Sequence, residues 1–262
     1  MPVSRVALDD GRNGVVKTGP GVQAEAAGLH WLALPDGPAV PRVLSCDGNR
    51  LVTEYVATGR PTPEAAAAFG RELATMHGAS AQTFGAAPPG GPVDAWIGNA
   101  PMRNEPGDDW PTWYAEHRVL PYLRTARDAG ALTTADARPV EDVCARLPEL
   151  AGPAEPPARL HGDLWSGNVL WGADGRVWLI DPAAHGGHRE TDLAMLALFG
   201  CAHLDVVRSA YRDASPLAPG WEDRVGLHQL FPLLVHVVLF GAGYAAPTVA
   251  AAHSALRLAG PS

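Results

Sequence analysis

The sequence predicts an α+β fold of two lobes, with a small antiparallel β-sheet followed by a larger, mostly helical part. Three observations support this prediction. The chain has 262 residues, which is enough for two modest hydrophobic cores. Two pairs of strand-like runs, each joined by a tight turn, lie in the first 55 residues on either side of one helical run, and a longer pattern of apolar residues at helical spacing begins near residue 63. We place the lobe boundary after residue 57, which divides the chain into segments 1–57 and 58–262.

The first lobe is predicted to contain two strand pairs and one helix. The runs SRVAL and VVKT lie on either side of a turn at Asp10 and Gly11, and RVLSC and RLVTEY lie on either side of a turn at Asp47 and Gly48. Between the two pairs, VQAEAAGLHWLAL is rich in alanine and leucine and ends before Pro35, which predicts a helix.

The second lobe is predicted to be built from helices and loops. PTPEAAAAFGRELATMHG has proline at its start, and its apolar residues follow one helical face: Ala66, Phe69, Leu73 and Met76. GAAPPGGPVDAW and AGPAEPPAR contain many prolines and glycines and are predicted loops. The apolar run LFPLLVHVVLFGAGYAA includes Pro232 and His236, so we expect a buried core helix rather than a membrane span.

Charge and cysteine content favour an intracellular protein with a small-molecule partner. The formal net charge is −8 and lysines and arginines form no run, which disfavours a nucleic-acid or anionic-membrane surface. The cysteines, Cys46, Cys144 and Cys201, are far apart and odd in number, which predicts reduced thiols in a cytoplasmic protein. The opening MPVSRVALDD has no apolar signal-peptide core. Oligomeric state is left open.

The stretch RLHGDLWSGNVLW, residues 159–171, concentrates polar side chains between two apolar ends. NVLW and RVWLID are short strand candidates around the turn GADG, and the second run ends at Asp181. A hairpin of this kind would bring Asp163, Asn168 and Asp181 together at one end.

These three residue types suit phosphoryl transfer from a nucleotide. The spacing D-x-x-x-x-N is that of the protein-kinase catalytic loop, in which the carboxylate orients an attacking hydroxyl and accepts its proton. An amide oxygen and a second carboxylate hold magnesium. We therefore expect Asp163 to be the proton acceptor and Asn168 and Asp181 to be the metal ligands of an ATP-dependent kinase.

Nucleotide-binding residues are expected in the first lobe. Lys17 lies within the apolar run GVVKTG, and a buried lysine needs an anionic partner. Glu25, eight residues later, can form the ion pair that holds this ammonium near the phosphates. The extended segment LVTEYV between the lobes offers backbone groups to a purine, with Glu54, Tyr55 and Val56 as candidates.

Two departures from protein kinases indicate a small acceptor rather than a peptide. Gly162 stands where a protein kinase has the arginine that can pair with an activation-loop phosphate. About ten residues separate Asp181 from the helical pattern that begins near Thr191, which is too few for a peptide-binding activation segment.

Several residues near the motif are candidates for acceptor contacts: Trp165, His185, His188 and Glu190. Trp165 directly follows the motif's Asp-Leu pair, and the others follow Asp181 in DPAAHGGHRETD. A structural alternative exists for this second group, in which Glu190 and Asp192 cap the next helix and His188 braces the loop.

Four long motifs resemble the fructosamine (ketosamine) kinase family, and the resemblance extends from about Arg5 almost to the C-terminus. These motifs are DDWPTWYAEHRVLPYL, LHGDLWSGNVLW, IDPAAHGGHRETDLAMLALFG and HQLFPLLVH. The resemblance implies the aminoglycoside-phosphotransferase-like variant of the bilobal protein-kinase-like fold. It also implies phosphorylation of a sugar hydroxyl of ketosamines, the rearranged products of amine glycation, with ATP and magnesium in a deglycation-repair role.

Carried over position by position, the resemblance implies the same roles for Asp163, Asn168 and Asp181. It implies that Lys17 is the phosphate-binding lysine with Glu25 as its partner. It extends the adenine segment by one residue, to residues 53–56, and so includes Thr53.

One feature of the family is expected to be missing from the small sheet. Relatives carry a further strand and a glycine-containing loop before the segment equivalent to SRVALDDG, and we expect the present sheet to start without them. Alternatives therefore stay open: a truncated, non-catalytic homologue that binds a nucleotide or metabolite, a related aminoglycoside- or choline-type kinase, and a metal-dependent phosphohydrolase.

Overall fold

A computed structural model describes residues 3–259 of the chain. Its first part contains an antiparallel sheet of four strands in the order β1-β2-β4-β3, with one helix, α1, between β2 and β3. The bounds are β1 (Val3–Ala7), β2 (Asn13–Thr18), α1 (Val22–Leu32), β3 (Val43–Asp47) and β4 (Arg50–Glu54). The SRVAL run contributes to β1, which forms one edge of this sheet.

Helix α1 covers one face of this sheet. Its side chains Val22 and Ala26 are buried against Leu51 of β4. Apolar burial of this kind is the main source of stability for an element this short. Lys17 of β2 pairs in register with Leu51 of the neighbouring strand, so the lysine lies in the middle of the sheet.

The larger part is mostly helical, as predicted. The first long helix begins at proline, and its N-terminus is capped by Thr62, whose hydroxyl oxygen accepts from Ala65 N at 3.2 Å. The helices are α2 (Pro63–Gly78), α3 (Trp110–Tyr114), α4 (Leu120–Asp128), α5 (Thr134–Leu150), α6 (Glu190–Leu198), α7 (Leu204–Ala214), α8 (Trp221–Phe240) and α9 (Ala245–Leu256). A π-helical turn, Ala115–Val119, joins α3 to α4.

Helix α8 contains residues 230–240 of the apolar run that the sequence assigns to a core helix, and the last residues of the run, 241–246, lie beyond the end of this helix. Its residues Leu230, Phe231 and Leu234 are buried and pack with α4, α6 and α9. Between residues 3 and 259, no helix is both long enough and apolar enough to cross a membrane.

Three two-stranded pairs lie in the larger part and position its loops. They are β5 (Asp94–Ile97) with β6 (Ala100–Arg103), β7 (Ala158–Leu160) with β10 (His185–Gly187), and β8 (Val169–Trp171) with β9 (Val177–Leu179). The loop assignment of GAAPPGGPVDAW and AGPAEPPAR is wrong at their ends, because β5 and β7 begin inside these runs. Strands of three or four residues are too short to show periodicity.

The β8–β9 hairpin forms as the sequence predicts, with Val169 opposite Leu179. Its turn lies against the chain that leaves β4, where Ala173 N donates to Ala57 O at 2.8 Å and Gly59 N donates to Trp171 O at 2.6 Å. The lobe boundary after residue 57 stays a prediction.

Candidate active site

A buried ion pair links the small sheet to α1. Lys17 and Glu25 are only 6% and 5% exposed, and Lys17 Nζ lies 2.6 Å from Glu25 Oε1. The same ammonium also forms an ion pair with Asp181 Oδ1. Burial raises the pKa of Glu25, while the nearby Lys17 acts in the opposite direction. The lysine therefore joins the sheet and α1 to the loop that carries Asp181.

The loop between β7 and β8 carries Asp163 and Asn168. Asn168 Nδ2 donates to both the backbone oxygen and Oδ2 of Asp163, each at 2.9 Å. Burial raises the pKa of Asp163 to about 7. The hydrogen bond from Asn168 opposes this rise, and the carboxylates of Asp181 and Asp192 add to it. A carboxylate held in this way can accept a proton near neutral pH.

Asp192 of α6 fixes the start of this loop. Its Oδ2 accepts from His161 N at 2.7 Å, and its Oδ1 accepts from Gly162 N at 3.0 Å. Gly162 has φ of +79°, and a Cβ there would overlap Ala183 O, so glycine is required at this turn. Asp192 is buried and therefore acts as a positioning residue for Asp163.

Asp181 lies two residues beyond β9 rather than at its end. Its φ is +55°, an uncommon conformation for a residue other than glycine, and it turns the chain out of the hairpin. Ile180 N donates to Asn168 O at 3.1 Å, which ties this turn to the loop bearing Asn168. Asp163, Asn168 and Asp181 consequently line one cavity, together with Lys17, as the hairpin predicts.

This cavity, which we name the acceptor cavity after the role proposed for it below, has a volume of about 290 Å³ and is lined by both polar and aromatic side chains. The lining includes the carboxylates of Glu25, Asp163 and Asp181, of which Glu25 and Asp181 pair with the ammonium of Lys17. Trp165 lines the same cavity and is 37% exposed, and its role as an acceptor contact stays a prediction.

A second cavity of about 260 Å³ adjoins the first and is lined by the segment predicted to hold adenine, Thr53, Glu54, Tyr55 and Val56. The two cavities share Lys17, Glu25 and Asp181. Among residues 3–259, no group accepts a hydrogen bond from Val56 N–H. Backbone N–H groups are rarely left unpaired inside a protein, and Val56 lines this cavity, so a ligand bound there is one source of the missing acceptor.

Three predicted acceptor contacts are placed elsewhere, and this corrects the sequence interpretation. His185, His188 and Glu190 are buried and do not line the acceptor cavity. Arg224 donates to both carboxylate oxygens of Glu190, at 3.0 and 2.6 Å, and His185 Nδ1 donates to Ala183 O at 2.9 Å. These contacts hold the segment that follows Asp181 in the protein interior.

The helix-capping alternative for this segment is also wrong. Helix α6 has Arg189 at its N-cap position, with no hydrogen bond from a side chain to the cap. Glu190 and Asp192 do lie in the first turn, but their carboxylates bind Arg224 and the backbone of residues 161 and 162 instead. The predicted bracing by His188 has a counterpart, since its Nδ1 accepts from Glu190 N at 3.3 Å.

Sequence reasoning missed the residues that close the far side of the acceptor cavity. Trp96 and Asn99 come from the β5–β6 hairpin, and Leu239 and Phe240 come from the end of α8. Phe240 is 66% exposed at the mouth. The signal available in the sequence was Trp96 itself, an aromatic residue within a run rich in proline and glycine that the sequence assigns to a loop.

Comparison with known proteins identifies the family of this chain. Residues 17–257 match the fructosamine kinase family. The chain belongs to the fructosamine kinase family. A probable ketoamine kinase from Synechocystis sp. is 36% identical over 228 residues, covering 85% of this chain and 74% of the relative. The present chain also resembles a crystal structure from Thermobifida fusca YX-ER1 that is assigned as a fructosamine-3-kinase. The TM-score is 0.91 and the sequence identity is 54%, and the match covers 97% of this chain and 89% of that chain.

A more distant structure confirms the fold of this family member. An aminoglycoside phosphotransferase is 15% identical, with a TM-score of 0.61 over all of this chain and 96% of its own. At this identity the similarity concerns the fold alone. The prediction of an aminoglycoside-phosphotransferase-like fold, with a small antiparallel sheet and a larger helical part, is therefore confirmed.

Proposed function

We propose that this protein is an ATP-dependent kinase that transfers a phosphoryl group to a sugar hydroxyl of a ketosamine and so contributes to removing glycation products. The observation that carries the proposal is the cavity lined by Lys17, Asp163, Asn168 and Asp181, which opens beside a second cleft with a free backbone donor at Val56. Family membership supports the same reaction.

Adenine would occupy the second cleft, and Val56 N–H would donate to its edge. Lys17 lies where the two cavities meet, so its ammonium would contact the phosphates that pass from one cavity to the other. Glu25 limits the positions open to that ammonium through the 2.6 Å ion pair.

The donor groups fit magnesium. Asp181 offers a carboxylate, and Asn168 offers its amide oxygen because its amide nitrogen already donates to Asp163. Hard oxygen donors of this kind are those that magnesium prefers. When bound, magnesium neutralises charge on the transferred phosphate group. Asp163 then orients the acceptor hydroxyl and takes its proton.

The acceptor cavity favours a small cationic sugar derivative. A ketosamine carries an amine that is positively charged when protonated, and the lining contributes three carboxylates against one paired ammonium. Trp165 presents an apolar surface to the acceptor. The substrate assay decides which ketosamine is preferred: a fructosamine, a ribulosamine or an erythrulosamine. It also decides which amine the ketosamine carries.

A substrate-panel assay tests this proposal. Purified protein with Mg-ATP is incubated with fructosamine, ribulosamine and erythrulosamine derivatives, with free sugars, an aminoglycoside and choline as comparisons. We expect ADP formation that depends on a ketosamine, with a phosphorylated ketosamine detected by mass spectrometry. Turnover only with the aminoglycoside or choline, binding of Mg-ATP without turnover, or phosphoester hydrolysis without nucleotide would each contradict it.

A further inference from the structure

The β5–β6 hairpin forms the wall of the acceptor cavity that faces the reacting groups. Trp96 lies in β5, and Gly98 and Asn99 form its turn, and all three line the same cavity as Asp163 and Asp181. A Cβ placed on Gly98 would lie 3.3 Å from Leu239 Cδ1, so the tip of the hairpin lies against the end of α8.

The Trp96 side chain also lies directly against the start of α1. A Cβ placed on Gly21 would be 3.2 Å from Trp96 Cβ and 3.3 Å from Cγ and Cδ1. Gly21 has φ of −84°, which any residue can adopt, so what a larger residue would meet here is the close approach of the Trp96 side chain rather than backbone strain. Gly21 is the N-cap of α1, and Glu25 N donates to Gly21 O at 3.0 Å in the first turn.

The middle of α1 is held by a second close contact. A Cβ placed on Gly28 would be 3.2 Å from Pro182 Cγ and 3.1 Å from Ala184 Cβ. These residues directly follow Asp181. Helix α1 is therefore fixed at one point by the acceptor-side hairpin and at another by the chain that carries Asp181, and Glu25 lies between the two contacts.

We infer that Trp96 is a positioning residue that couples acceptor binding to the Lys17–Glu25 pair. This inference rests on the proposed function for the identity of the acceptor. One side of the tryptophan borders the acceptor cavity and another lies on Gly21, so a bound acceptor restricts the movement of the indole away from the first turn of α1. Glu25 and Lys17 are thereby held in the position that contacts the phosphates.

The chemistry of the acceptor fits this role. Tryptophan is the side chain that most favourably faces an organic cation, and a protonated ketosamine presents such a cation next to its sugar. Coupling between two sites is reciprocal, so an acceptor that steadies α1 through Trp96 tightens nucleotide binding, and nucleotide tightens acceptor binding to the same extent.

A double-mutant cycle tests the contact between Trp96 and Gly21 without any acceptor. The variants are Gly21→Val, Trp96→Ala and the double variant, and isothermal titration gives the Kd of Mg-AMP-PNP for each. In Gly21→Val the added side chain displaces α1 or the indole, and we expect affinity to fall about tenfold. In the Trp96→Ala background, the added valine side chain occupies the space that the indole leaves. The loss of nucleotide affinity caused by Gly21→Val should therefore be smaller than about threefold.

Coupling to the acceptor is measured with the same titration. In the unmodified protein, saturating ketosamine should tighten Mg-AMP-PNP binding by about fivefold or more. Trp96→Ala should bring this ratio close to one, and Trp96→Phe should restore part of it. Arg103→Ala is the matched control, because Arg103 lies in β6 of the same hairpin with an exposed side chain paired to Asp94 and Glu105. Its ratio should equal that of the unmodified protein.

Two results would overturn the inference: additive effects in the cycle, or an unchanged ratio in a folded Trp96→Ala variant. Failure of the proposed function gives a different result, because the unmodified protein would then phosphorylate no ketosamine. The double-mutant cycle needs only nucleotide, so it would still show whether Trp96 holds α1.

Discussion

At the scale of single residues, the site depends on charged groups that are shared between elements. Lys17 Nζ contacts carboxylates from α1 and from the turn after β9, and Asn168 contacts both the backbone and the side chain of Asp163. The buried charges of Lys17 and Glu25 are paired with each other, which avoids the large cost of leaving a charge unpaired away from water. Removing one of these residues therefore changes the charges and hydrogen bonds around its neighbours. Substitutions that test the site should keep the size and shape of the original side chain where possible.

Asp163→Asn isolates the proton-acceptor role. The amide keeps an oxygen that can accept from Asn168, so the loop should retain its shape, but an amide cannot take the proton of the acceptor hydroxyl. We expect kcat to fall by roughly a hundredfold to ten-thousandfold, with the Kd for Mg-AMP-PNP unchanged. Steady-state kinetics and calorimetry provide these values, and near-normal turnover in a folded variant would remove Asp163 from this role.

Asp181→Ala separates metal binding from proton transfer. It removes one proposed magnesium ligand and one of the partners of Lys17, so both nucleotide affinity and turnover should fall. The loss of magnesium-dependent ATP affinity should be at least about tenfold, since even outer partners of metal ligands have effects of that size. Titrations with ATP in magnesium and in EDTA measure it; equal losses in the two buffers would show that Asp181 acts without the metal.

At the scale of elements, the catalytic loop is held by helices that lie behind it. His77 of α2 contacts both Asp192 Oδ2, at 3.3 Å, and Tyr211 OH of α7, at 2.9 Å. Asp192 in turn accepts from the backbone that leads to Asp163. The packing of α2 on α7 therefore determines how firmly the loop is held.

Gly70→Ala tests this packing. A Cβ at Gly70 would overlap the backbone oxygen of Val207 and lie 3.0 Å from Ala210 Cβ, although alanine is the better helix former. Because the obstruction is backbone of α7, we expect a loss of about 1–3 kcal/mol in the free energy of unfolding, measured by urea denaturation. Gly78→Ala is the control in the same helix, since a Cβ there meets no atom within 4 Å. Equal stability of the two variants would contradict the tight contact.

At the scale of the whole molecule, buried histidines make stability depend on pH. Burial lowers the pKa of His185 to about 3, and burial followed by the field of His228 lowers the pKa of His188 well below its usual value. In the unfolded chain both imidazoles titrate near their ordinary value of about 6.5. Between these values the unfolded chain binds more protons than the folded protein, so stability falls as the pH drops below about 6.5.

His185→Asn measures this effect. Asparagine can keep the donor to Ala183 O but does not titrate. The unmodified protein should lose about 1.4 kcal/mol of unfolding free energy per pH unit for each such histidine below about pH 6. The variant should therefore show a slope that is shallower by about that amount. Urea denaturation at pH 7.5, 6.5, 5.5 and 4.5 gives the slopes, and parallel curves for the two proteins would show that His185 does not carry a proton difference.

Much of the fold and part of the site could be predicted because the determining interactions are local. Strand pairs joined by Asp-Gly turns, the proline at the start of α2 and the eight-residue step from Lys17 to Glu25 are all encoded within short segments. The convergence of Asp163, Asn168 and Asp181 also follows from one hairpin, since β8 and β9 are joined by a short turn.

The sequence by itself determined the fold class, the family and the convergence of Asp163, Asn168 and Asp181, because each of these follows from short motifs whose residues lie close together in the chain. Tertiary structure decided which polar residues reach the acceptor cavity. His185, His188 and Glu190 stand beside Asp181 in sequence, yet Arg224 and the packing of α8 hold this segment in the interior. Trp96 joins the site through a contact with Gly21, 75 residues away in number, and such long-range contacts follow from packing rather than from local pattern.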